Sequence, residues 1–146
     1  MKNTQNKMFN LSKHSTLLSH HKPSEYYRCL KLKDVYICAR CFGVHSALYP
    51  TLFYQIFVHP FSHSFTIIIL YLFPFFSFLD WGLYKFNVNK GNNISRVISG
   101  LFLGICIGTM FYIFLEDILN QNLWISASIY SVLGLVICKL SSPLKG

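Results

Sequence analysis

Residues 65–83 read FTIIILYLFPFFSFLDWGL, nineteen positions with a single charged side chain, Asp80. A helix rises about 1.5 Å per residue, so such a block is close to the roughly 30 Å of hydrocarbon in a bilayer. Continuous apolar length, rather than period-2 alternation, makes it a membrane helix. Pro74 falls in mid-block, and Trp81 sits at the far end, where an interfacial aromatic belt is expected. A carboxylate inside an apolar block is costly in lipid, so Asp80 calls for a partner.

Three further apolar blocks lie around this one, at about 42–58, 96–115 and 123–140. The first contains Gly43, Pro50 and Gln55, which makes it the weakest of the four as a span and a candidate for a kink. The third follows Ser95, a suitable N-cap, and carries Gly100, Gly104 and Gly108 on one helical stripe. Such a stripe lets another helix backbone approach closely, and packing within the chain is the preferred use over a dimer contact. The expected fold class is therefore all-α integral membrane, with four transmembrane helices and an N-terminal cytoplasmic Cys/His segment. Residues 1–19 read as a basic arm, 20–41 as the Cys/His segment, 42–140 as the helical domain and 141–146 as a tail.

Composition agrees. Of the 146 residues 53% are hydrophobic and 12% charged, against about 25% charged in soluble domains. The net charge of +8 does not point to nucleic acid, because the aromatics lie in the apolar blocks rather than among the basic residues. The first 35 residues hold no continuous apolar run of the kind a secretory signal needs. With four spans, all thirteen Lys and Arg share one side of the membrane, eight in residues 1–41, three in the loop from Lys85 to Arg96 and two in the tail. The positive-inside rule then puts both termini in the cytoplasm of a cell inner membrane. The bilayer is the first expected partner, with a larger membrane protein or a second copy of the chain as further ones.

Residues 20–41, HHKPSEYYRCLKLKDVYICARC, precede the first block. Two β-forming runs flank Lys33-Asp34, which suggests a short hairpin pairing Leu32 with Val35, Lys31 with Tyr36, Leu30 with Ile37 and Cys29 with Cys38. Cys41 follows Cys38 by one turn, so three sulfurs could meet. A reducing cytosol disfavours a structural disulfide, leaving metal ligation or thiol redox chemistry. Cys29, Cys38 and Cys41 with His20 or His21 would give a Cys₃His set suited to tetrahedral zinc, with iron as the other metal such ligands admit. His45, one helical turn beyond Cys41, competes for the fourth position. Arg28 and Arg40 beside the thiols are expected to lower their pKa. Asp80, Arg96 and Arg40 lie at a similar depth, where Asp80 could pair with Arg96 or orient a metal-bound histidine. His59 and His63 fall on the other side, and Cys106 and Cys138 read as small buried apolar residues.

The run His20-His21-Lys22-Pro23-Ser24-Glu25, then Arg28-Cys29, Cys38-Ala39-Arg40-Cys41-Phe42-Gly43, Asp80, Asn93, Arg96 and Gly100, resembles the small prokaryotic membrane proteins grouped as domain of unknown function 2085. The likeness covers roughly residues 18–108 and is most specific at Cys-Ala-Arg-Cys-x-Gly. It implies a small integral membrane protein of bacteria or archaea and carries no established activity. Where many members have Cys and Tyr, this chain has Ser19 and His45. Three functional classes follow: a structural metal site at the cytoplasmic face, a thiol-disulfide oxidoreductase using Cys38 and Cys41, and an accessory subunit docking through the glycine stripe.

Overall fold

The computed structural model describes residues 28–32, 35–86 and 92–141. Two strands, β1 (Cys29–Leu32) and β2 (Val35–Cys38), lead into four helices, α1 (Ala39–Phe57), α2 (His63–Lys85), α3 (Asn93–Glu116) and α4 (Gln121–Ser141). The strands pair antiparallel in the expected register, with Cys29 opposite Cys38 and Leu32 opposite Val35. The turn at Lys33-Asp34 lies outside the described residues, as do His20 and His21. β2 passes into α1 with no intervening residue, Cys38 occupying the N-cap position.

Three of these helices, α2, α3 and α4, are long and apolar enough to cross a membrane. That is one fewer than the sequence suggests. α1 has the length, at 19 residues, but Arg40, His45, Ser46, Pro50 and Gln55 dilute its apolar content.

α3 is the hub, packing most extensively on α1 and next on α2, while α4 rests chiefly on α2. The α1–α3 contact is a close approach of backbones. A Cβ at Gly100 would lie 3.2 Å from the Gly43 Cα and run into the Arg40 carbonyl. At Gly104 it would strike the Val44 carbonyl and the Ala47 methyl, and at Gly108 it would come 2.9 Å from the Leu48 carbonyl. The buried positions of α1, Ala39, Gly43, Ala47 and Gln55, repeat at the same four-residue interval or its double. Two matching small-residue ridges therefore mesh along helices that run in the same direction. At the deep end Gln55 donates to the Thr109 hydroxyl at 3.2 Å, so a buried amide is satisfied inside the seam.

α4 is held differently. Pro74 removes the amide that would bond the Leu70 carbonyl and disturbs the turn before it. Ser126 donates its hydroxyl to that Leu70 carbonyl at 2.7 Å. One turn on, the Tyr130 hydroxyl donates to the Tyr71 carbonyl. Two residues of α4 thus satisfy the carbonyls exposed by the proline, as backbone in hydrocarbon requires.

α3 begins earlier than expected. Its N-cap is Asn92, whose side chain takes the Ser95 amide at 2.6 Å. Ser95 is not the cap because it lies inside the first turn, with its hydroxyl engaged elsewhere.

Candidate functional site

One end of the bundle, where α1 and α3 begin and α2 and α4 finish, gathers the polar chemistry. Every described Lys and Arg lies there, namely Arg28, Lys31, Arg40, Lys85, Arg96 and Lys139. Glu116 and Asp117 stand at the other end.

The hairpin is fastened to this end at two points. Arg28 lays its guanidinium over the Tyr84 ring of α2, 4.1 Å from the centroid, and Arg96 approaches the same ring at 5.5 Å. Cation–ring contacts of this kind gain strength where water is excluded. The Asn93 side chain donates to the Cys29 carbonyl at 3.2 Å and accepts from the Arg96 guanidinium at 3.3 Å. The nearly buried Arg96 is thereby connected to the strand that carries Cys29.

Cys29 and Cys38 are both buried, and all five cysteines are in the thiol form. Cys41, on the first turn of α1, hydrogen-bonds with Cys38 and feels Cys29. Burial, reinforced by the Cys38 thiol and only partly opposed by Arg40, pushes the Cys41 thiol up to about 11. For Cys41 the expected lowering by neighbouring arginines is overturned, because removal from water outweighs one guanidinium that already has a carboxylate partner. Among the described residues no group of three or more Cys, His, Asp or Glu side chains is arranged to hold a metal ion. His45 is exposed on the outer face of α1 and stacks on Tyr49 at 5.7 Å.

Asp80 finds its counter-ion in Arg40, not in Arg96. The carboxylate also accepts from Ser95 at 2.7 Å and from Ser99 at 3.3 Å. It therefore ties α2 to the first turns of both α1 and α3. A partly buried carboxylate with three donors is a structural tie as it stands, with its charge compensated and its oxygens occupied.

Gly100, Gly104 and Gly108 do meet a helix of the same chain, so the stripe is already covered by α1. Cys106 lies in the core, as expected, but Cys138 is exposed and faces a cavity between α2 and α4. Two members of the site escaped the reading of the sequence, Tyr84 and Ser99. Their signal was present, since an aromatic near the end of a basic-flanked helix and a serine one turn past Ser95 both suit such an end.

A family model described as a predicted membrane protein (DUF2085) matches residues 20–110. Searches among curated proteins and among solved structures returned no match. Of the described residues that carry the likeness, Arg28, Cys29, Cys38, Arg40, Cys41, Asp80, Asn93, Arg96 and Gly100 all lie at the one end just described. The chain belongs to this family of membrane proteins.

Proposed function

We propose that this member of the DUF2085 family is a four-crossing membrane protein whose thiol cluster is a structural metal site at the cytoplasmic face. Three helices qualify as spans by length and composition. α1 is proposed as the fourth crossing because it follows α3 from Gly100 to Thr109, contact for contact, and so shares its depth. Its outward positions Tyr49, Phe53 and Phe57 are exposed aromatics that suit lipid. With four crossings the basic end is the cytoplasmic one.

What supports the metal reading is that Cys29 pairs with Cys38 across the hairpin and Cys41 lies near both; as placed the three do not form a closed set, so a bound ion would have to draw them together. Cys29, Cys38 and Cys41 would supply thiolate ligands and His20 or His21 the fourth, with zinc favoured over iron for a closed tetrahedral set. The role is a staple that keeps the hairpin on the helix ends, in addition to Arg28–Tyr84 and Asn93–Cys29. The oxidoreductase reading, with Cys38 and Cys41 as the exchanging pair, is the second one, and a reversible Cys38–Cys41 disulfide in metal-free protein would favour it. Docking of a larger partner through the glycine stripe loses its surface to α1.

Elemental analysis of the purified full chain tests the proposal. Stoichiometric zinc in the wild type, lost in Cys38→Ser, is expected. Wild-type protein that contains neither zinc nor iron when prepared without chelator removes the metal reading.

A further inference from the structure

Cys29 and Cys38 stand directly opposite each other in the hairpin, and both are buried thiols. Opposed residues of antiparallel strands have Cα atoms about 4.5–5.5 Å apart, inside the roughly 4.4–6.8 Å that a disulfide spans. Their Cβ atoms, also about 4.5–5.5 Å apart, lie slightly beyond the spacing of about 3.8 Å that a relaxed disulfide prefers. A bond across this pair forms with some strain, and strained disulfides are the readily reduced kind.

Each half of the pair is held by a different helix. Asn93 of α3 donates to the Cys29 carbonyl at 3.2 Å. Cys38 runs straight into Ala39, which is fully buried at the start of α1. The Gly43–Gly100 contact in turn locks α1 against α3. The fold thus keeps the two thiols opposite one another, and such preorganisation makes closure of the bond effectively unimolecular. Cys41 also reaches Cys38, through a hydrogen bond within the first turn of α1. Opposed side chains share one face of a hairpin, so a Cys29–Cys38 bond leaves the strands in register, whereas a bond to Cys41 turns Cys38 out of the pair.

We propose that Cys29 and Cys38 form a reversible dithiol–disulfide switch, oxidised by a low-molecular-weight disulfide. The thiolate of one cysteine attacks a sulfur of the oxidant and expels one small thiol. The other, giving up its proton, then attacks the mixed disulfide and expels the second. Two electrons and two protons leave the pair and appear in two small thiols. A two-stranded hairpin is marginal on its own and opens locally, which admits a small oxidant to a buried pair. Transient disulfides of this kind are the ones a reducing cytosol allows. The switch stands on strand pairing alone; its consequence for a bound metal, the loss of two of three thiolates, rests on the reading above.

The test uses the full chain in neutral detergent, stripped of metal by a chelator. It is equilibrated with oxidised and reduced glutathione at set ratios, quenched in acid, unfolded, alkylated and mapped by mass spectrometry. A Cys29–Cys38 link that forms with oxidised glutathione and is lost with excess reduced glutathione is expected, with Cys41 recovered as the alkylated thiol. Cys41→Ser should titrate at the same glutathione ratio as the wild type. A Cys38–Cys41 link in the wild type overturns the proposal, as does the absence of any link in both proteins, or a link that resists excess reduced glutathione. Zinc content measured before stripping separates the two readings. Protein that holds no zinc yet forms the link loses the metal and keeps the switch, and protein that holds zinc but forms no link once stripped does the reverse.

Discussion

Arg40 makes three contacts with three parts of itself. Its carbonyl lies against Gly100, its guanidinium holds Asp80, and its side chain walls the cavity. Replacing Asp80 with Asn keeps the shape but leaves the guanidinium uncompensated, which should destabilise the fold by about 3 kcal/mol. Thermal unfolding in detergent measures this, and the double exchange Asp80→Asn with Arg40→Gln should recover part of the loss. The need of Asp80 for a partner was legible in the sequence. The identity of the partner was not, because Arg40 and Arg96 stand at a similar depth and Arg40 was read as serving the thiols on either side of it. Cys41 was misjudged for a related reason, since proximity to positive charge is visible in a sequence and burial is not. In metal-free protein the folded state keeps the Cys41 proton between the ordinary 9.0 and about 11. Across that window the unfolded chain binds fewer protons than the folded one, so this group's contribution to stability falls as pH rises. Alkylation of Cys41 at pH 8 in metal-free protein should accordingly run about tenfold slower than that of an ordinary exposed thiol, the smaller thiolate fraction being partly offset by the greater basicity of the thiolate.

At the scale of elements, two devices hold the helices together. The first is the meshing of α1 with α3. Gly104→Leu should separate the two backbones and cost more than about 2 kcal/mol, because the obstacles are the Val44 carbonyl and the Ala47 methyl rather than a flexible side chain. Unfolding of the variant in mild denaturant checks it. The α3 half of this contact was legible as a glycine stripe. The α1 half stood in the sequence at the same spacing, but Gly43 and Gln55 were read as faults in a span instead of as its buried face. The second device is the pairing of Pro74 with α4. Ser126→Ala combined with Tyr130→Phe should loosen α4, raising hydrogen exchange along residues 121–141. Adding Pro74→Ala should restore much of the protection, since the restored amide at position 74 again serves the Leu70 carbonyl. A sequence shows the proline and the hydroxyls, but which helix supplies them depends on the packing order.

For the molecule as a whole, charge asymmetry and apolar length were sufficient to read a helical membrane protein with a β-hairpin at its start. Cysteine labelling with an impermeant reagent tests the proposed sidedness. A cysteine at Ser62 or Asn120 should react from the cell exterior, and one at Asn89 only after the membrane is opened. One further property follows from the direct passage of β2 into α1. With no linker at Cys38–Ala39, the ribbon continues directly into a helix of 19 residues. The glycine seam makes α3 its bearing. A pull on the sulfur-bearing ribbon therefore meets the Gly43–Gly100 contact directly, with no joint between them to absorb it.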